Sequence, residues 1–189
     1  MGTSVAVAQA ICDRLGLVDA GRLQKLTYYC QAWSLGWFGR PLFAQDFRAG
    51  QDGPVEPGLF EECLAGRSGW FSPRAFGAVD DSLDARDVAV VDAVVDFYGG
   101  MTHRELMGWV CADQPWISAR AGVGCEVGLG GVVSQRAMKR FYGLAEARHM
   151  DGPRRPFVQV REVSGGELQA RLDATTERWG GVLEGLARR

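Results

Sequence analysis

The sequence predicts a mainly α protein: a compact helical domain with a small β element and a C-terminal strand/helix extension. Three observations predict it. Several helix starts are marked by a polar cap between two apolar residues five positions apart. Between the caps, apolar residues recur at helical spacing. Strand character is confined to "LFAQDFRA" and "FVQVREV", which puts the β element near residues 43–55 or 157–163.

Each element follows in turn. "SVAVAQAICDRLG" places Val5, Ala8, Cys12 and Leu15 along one side, and Gly16 suits the C-terminal stop. Asp19 caps the next helix, with Val18 and Leu23 as its hydrophobic staple. In that helix Leu23, Leu26, Cys30, Trp33 and Trp37 share one side, while Tyr28, Ala32 and Leu35 share another. Gln24, Lys25, Gln31 and Ser34 leave a narrow wet strip. A helix apolar on two sides belongs between other helices, so Tyr28, Tyr29, Trp33 and Trp37 are expected inside.

A turn at "DGPVEPG" leads into a short helix after Pro57, with Phe60, Cys63 and Leu64 expected inward. "GRSGWFSPRAFG" reads as a loop with exposed Trp70 and Phe71. "LDARDVAVVDAVVDFYGG" is a longer helix with Val88, Val91, Val95 and Tyr98 on one stripe, widened by Val94 and Phe97. Thr102 and Glu105 form a capping box, with Met101 stapled to Leu106. The glycine-rich "GVGCEVGLGGVV" is an irregular connector, and Ser134 caps a further helix with Val133 and Met138 as its staple. "DGPRRP" reads as a linker, which sets the organisation as a helical domain at 1–149 and an extension at 150–189. The extension carries Leu168, Leu172, Thr175, Trp179, Val182 and Leu186 at helical spacing.

Composition excludes more than it assigns. The net charge is -2, with -5 in residues 1–100 and +3 in residues 101–189. Neither half makes a phosphate-binding surface, so nucleic acid is not the expected partner. No basic stretch precedes an apolar segment at the N-terminus, and the most apolar run is interrupted by Asp92 and Asp96. A cytoplasmic protein without a membrane span is expected. The five cysteines, Cys12, Cys30, Cys63, Cys111 and Cys125, include no Cys-x-x-Cys pair and are expected to be reduced.

Catalysis through a thiolate would pair Cys30 or Cys111 with His103, yet no nucleophile signature surrounds either cysteine. Two histidines and scattered cysteines form no metal-ligand pattern. The glycine-rich connector lacks the Gly-Lys-Ser/Thr of a phosphate loop. No enzyme activity, cofactor or metal is expected. The basic stretch Arg136, Lys139 and Arg140 is read as a solvated helix face.

Five motifs occur in one order: "RLQKLTYYCQAWSLGWFGRPLF", "GPV" with a following Pro, "YGGMTHREL", "QPWISARAG" and "VSQRAMKRFYG". Together they resemble the Panacea domain family over about residues 3–145. The positions that carry the likeness are Leu23, Lys25, Leu26, Tyr29, Trp33, Gly53, Pro54, Val55, Thr102, Glu105, Trp116 and Ser134. The resemblance implies a mostly helical, phage-associated antitoxin that neutralises a cognate protein toxin by direct contact. It supplies no catalytic residues. The family includes an adaptor that delivers its toxin to a Clp protease, which is the alternative reading. A nucleic-acid-binding regulator is the weaker one, and a second copy of the chain is a further candidate partner. The sequence departs from the family at Gly50, Gln51 and Asp52, where aromatic residues are usual. Trp70, Phe71, Leu172, Trp179 and Leu183 are the candidate partner-binding residues.

Overall fold

A computed structural model describes residues 2–65, 70–71, 83–121 and 128–157, together with Gly166, Gln169, Asp173 and Ala174. The chain runs α1 (Ser4–Leu15), β1 (Val18–Asp19), α2 (Ala20–Phe38), β2 (Arg48–Gly50), β3 (Gly53–Val55), α3 (Pro57–Ala65) and β4 (Trp70–Phe71). It continues through α4 (Ala85–Tyr98), α5 (His103–Cys111), α6 (Gln114–Arg120) and α7 (Gln135–Ala147). The fold is mainly α with small antiparallel β elements: β2 pairs with β3, and β1 pairs with β4. The β2–β3 hairpin lies within the predicted 43–55 window, whereas residues 158–163 of the other window lie outside the described residues.

Two compact units divide at Phe157. The first, Met1–Phe157, holds all the elements above. In the second, Val158–Arg189, the four described residues are helical, and Gln169 Nε2 donates to Asp173 Oδ1 at 2.9 Å. Residues 151–156, read as a linker, lie within the first unit. A Cβ placed on Gly152 would sit 2.5 Å from the Trp33 indole, Pro153 is buried, and the Arg155 guanidinium covers the Phe38 ring at 5.0 Å.

The helix starts are set locally. Asp19 accepts from Arg22 N at 2.9 Å at the head of α2, and Val18 and Leu23 are both fully buried. Ser134 accepts from Ala137 N at 3.4 Å at the head of α7. Thr102 and Glu105 bond reciprocally as a capping box on α5. Two caps were not read from the sequence. Thr3 caps α1, and Asp84 with Asp87 makes a second capping box on α4. Such a cap is worth about 1 kcal/mol.

α2 is enclosed by α1, α3, α4, α5 and α7. Its aromatic side chains form the centre of the core. Tyr29 stacks on Tyr98 with ring centroids 4.0 Å apart, and Trp33 meets the edge of Tyr142 at 5.0 Å. Tyr28 packs edge-on to Phe47 at 5.4 Å. Tyr28, Tyr29, Trp33 and Trp37 are all buried, as the helical pattern required. The closest helix contact is with α7. A Cβ on Gly36 would stand 2.7 Å from Tyr142 Cβ and 2.9 Å from its carbonyl carbon, so only hydrogen fits there.

Four expectations are corrected. The strip of Gln24, Lys25, Gln31 and Ser34 is not wet, since every one of these residues is buried. Gln24 exchanges two hydrogen bonds with the backbone of Glu56, Gln31 bonds the backbone of Leu42 and Phe43, and Ser34 donates to Arg40 O. Polar residues at helical spacing on α2 therefore anchor loops. In α3 the inward pair is Leu59 and Cys63, one turn apart, while Phe60 and Leu64 are exposed. In α4, Val90 takes the buried place expected of Val88, which is half-buried. Trp70 and Phe71 form a strand pairing with β1 rather than part of a loop.

Tyr142 on α7 donates to Asp113, whose carboxylate sits at the head of α6 without capping it. Asp113 is 8% exposed, and burial pushes its pKa up to about 7 despite the Tyr142 bond. The folded state thus retains a proton that an unfolded Asp releases near pH 4. Between about pH 4 and 7 this group makes stability fall as pH rises.

Three outcomes follow from this packing. Gly36→Ala gains about 1 kcal/mol of helix propensity but overpacks the α2–α7 contact, at a cost of about 1–3 kcal/mol. It lowers the thermal melting temperature. Asp113→Asn is more stable than the parent at pH 8 by ~2–4 kcal/mol. The difference shrinks toward pH 4 in urea denaturation; an advantage independent of pH would refute the assignment. Truncation after Phe157 leaves a cooperatively melting unit, whereas truncation after Met150 uncovers Trp33 and Phe38 and lowers the melting temperature.

Candidate functional site

Among the clefts lined by the described residues are three of about 600, 580 and 370 Å³. The two larger ones lie between α6 and α7 and between α4 and residues 152–156. The third, about 370 Å³, is bounded by the start of α2, the β2–β3 hairpin, Phe60 of α3, the N-terminal residue of α5, and residues 128–129. This smaller groove collects motif residues that are far apart in the chain. Lys25, the Gly53-Pro54-Val55 run and His103 of "THREL" all line it.

Local structure explains the convergence. Gln24 holds the chain at Glu56 through hydrogen bonds of 2.9 and 3.3 Å, which lays the hairpin's second strand along α2. Glu56 is buried and closes α3 from below. Its carboxylate accepts from Gly58 N, Leu59 N and Ser4 Oγ at 2.9, 2.6 and 2.7 Å. Gln51 and Asp52 form the two-residue tip of the hairpin. Gly53 then takes φ +125°, and a Cβ there would meet Val110 Cγ1 at 2.9 Å and Lys25 Cε at 3.3 Å. A side chain at this position would be strained and would strike the lysine.

Lys25 is 3% exposed. Its Nζ has one hydrogen-bond partner among the described residues, the Gly21 carbonyl at 3.4 Å. No ion pair joins it to a carboxylate among the described residues. Burial lowers its pKa, and the nearby charge of Asp52, then of Cys111 and Asp19, works against that shift. His103 also lines the groove. Its ring rests on Gly21, and its Nδ1 is 3.6 Å from Asp19 Oδ1. Phe60 and Leu129 are exposed apolar residues on the lining.

The predicted site residues fall into separate groups. Leu23, Leu26, Tyr29 and Trp33 are core, and Trp116 is half-buried against it. Thr102, Glu105 and Ser134 are caps. Lys25, Gly53, Pro54 and Val55 line the groove. Trp70 and Phe71 belong to β4, and their side chains lie outside the described residues, as do Leu172, Trp179 and Leu183. Phe60 and Leu129 were not read as surface candidates. The signal available for Phe60 was its position one residue after Leu59 on a short helix whose inward face cannot hold both.

The arrangement suits binding. Cys30 is fully buried, and burial drives its thiol pKa up, away from the thiolate a nucleophile needs. His103 and Cys111 occupy the two ends of α5, separated by about 12 Å of helix rise. No group of three or more His, Cys, Asp or Glu that could hold a metal occurs among the described residues. No helix there is long and apolar enough to cross a membrane.

Comparison with curated proteins and with solved structures returned no match. Comparison with protein families returned "Antitoxin SocA-like, Panacea domain" over residues 23–117, about half of the chain. The matched span begins in α2, ends in α6, and contains Lys25, the hairpin tip, Gly53-Pro54-Val55 and His103. The order of motifs, the helical fold built on α2 and this match agree, and the chain belongs to the SocA-like antitoxin family that carries the Panacea domain.

Proposed function

We propose that the protein is a non-enzymatic, cytoplasmic antitoxin that neutralises a cognate protein toxin by direct binding. The observation that carries this reading is the antitoxin-like domain over residues 23–117. The burial of Tyr28, Tyr29, Trp33 and Trp37 supports it, because the family's aromatic motif is then a scaffold and the outer contours remain for recognition. Masking the toxin's working surface requires shape and charge complementarity at a contact and no reaction centre.

The test uses the gene next to this one. Its product, expressed alone, arrests growth; co-expressed with this chain, it does not. The two proteins co-elute in size-exclusion chromatography and bind in calorimetry. Rescue without any complex would refute direct neutralisation. Rescue that requires an ATP-fuelled Clp protease, with faster toxin degradation in the purified mixture, would replace simple masking with delivery to the protease. Retardation of promoter DNA by this chain without the toxin, weakening with salt, would point instead to a nucleic-acid-binding regulator.

A further inference from the structure

We infer that the groove over Lys25 is a recognition site for a carboxylate group on the protein partner, from an acidic side chain or from a chain terminus, with an adjoining apolar residue seated on Phe60 and Leu129. The inference rests on the antitoxin reading for the partner's being a protein; the chemistry comes from the groove.

A lysine ammonium carries three donors. Lys25 uses one of them, on a carbonyl at 3.4 Å, and is otherwise enclosed. Three other buried polar residues of α2 are satisfied by loop backbone. Gln24 and Gln31 each make two or more backbone bonds, and Ser34 donates at 2.8 Å. An enclosed cation on the wall of a groove, with two donors unused among the described residues, calls for an acceptor from outside. Lys25 has no ion-pair partner among the described residues, so an incoming anion displaces no existing bridge. Asp52 and Asp19 lie nearby; Asp19 is already engaged by Arg22 N, and Asp52 stands exposed at the hairpin tip.

Size and shape limit the ligand. A volume of about 370 Å³ accepts a residue or two of an extended chain. The apolar surface of Phe60 and Leu129 beside one buried charge matches a carboxylate next to a hydrophobic residue.

Lys25 and Lys139 are the two lysines of the chain, and Lys139 is exposed on α7. Side-chain resonances of isotopically labelled lysine in the full-length protein therefore read the groove with an internal control, assigned through Lys139→Arg. Three probes are titrated: N-acetyl-leucine, N-acetyl-Leu-Asp-amide and N-acetyl-Leu-Asn-amide. The Lys25 signals shift saturably with at least one carboxylate probe, at least tenfold more tightly than with the Asn peptide, while Lys139 does not respond. The first probe succeeding assigns a chain terminus; the second assigns an acidic side chain. Leu129→Asp, at an exposed position, weakens the binding at least tenfold with an unchanged melting temperature.

Equal response to the Asn peptide, equal response of Lys139, or no response of Lys25 to either carboxylate overturns the inference. Lys25→Met weakens binding of the neighbouring gene's toxin at least tenfold with the melting temperature retained. If that variant binds the toxin unchanged, the groove is not the partner site and the antitoxin reading stands. If no toxin binds the parent protein while the peptides saturate Lys25, the antitoxin reading fails and the carboxylate site stands.

Discussion

The structure depends on enclosing one helix. α2 is surrounded by five other helices and by the hairpin, so from Leu23 to Leu35 it has no face on which a polar side chain can meet water. Buried polar atoms must then find partners inside the protein. At Gln24, Gln31 and Ser34 the sequence meets this demand by pairing the side chain with loop backbone, while the hydroxyls of Thr27, Tyr28 and Tyr29 have no partner among the described residues. Gln31 satisfies the turn at residues 42–43, Ser34 the carbonyl of Arg40, and Gln24 both backbone groups of Glu56. Each bond removes an orphan from the helix and one from a connecting segment. Loop positions that would otherwise vary are fixed to α2, and the chain reverses after Gly39 and Glu56 where these bonds require it.

The same logic isolates Lys25. It lies on the same helix as these anchors and is as deeply enclosed, but among the described residues no loop carbonyl or carboxylate closes on it beyond the weak bond to its own helix. Its neighbours explain the gap. Gly53 passes directly over the side chain at φ +125°, and the hairpin tip brings Asp52 near without forming an ion pair. The bonds that hold the hairpin on α2 therefore also build the groove around the lysine. Scaffold and recognition surface arise from one set of contacts, which is why the motif residues of the family divide between core and groove.

Much of this was legible in the residues. Asp19, Thr102 and Ser134 announced their helices because capping is local: the donor and the acceptor lie within three residues of each other. The aromatic core followed from the width of the apolar surface on α2. The misreadings concern partners distant in sequence. Gln24 and Gln31 look solvent-facing until the backbone at 56 and 42–43 is brought to them. Phe60 and Leu64 look inward until Leu59 and Cys63 claim the short inner face of α3. Trp70 and Phe71 gain a strand only because β1, about fifty residues earlier, offers an edge. Asp113 gave no signal, since its burial follows from the Tyr142 contact across two helices. The groove was half legible: the "LQKL", "GPV" and "THREL" segments were all identified, but their meeting point is set by the Gln24 anchor.

A buried lysine with no close counter-ion among the described residues is costly to the isolated protein, and that cost bears on function. The ammonium is removed from water when the domain folds, before any partner arrives. A carboxylate entering the groove then meets a cation that has already lost its hydration, within low-dielectric walls where a charge pair is stronger than in bulk water. The penalty left at binding is largely that of the incoming anion. A surface lysine would have to be dehydrated and immobilised in the same step and would give little net attraction. Lys25 lies between Gly53 and the turn of α2 beneath it, so its orientation is fixed in advance. Pre-organisation of this kind turns a local defect of folding into directional attraction for one chemical group. It places recognition at Lys25, while the exposed lysine on α7 has no comparable setting.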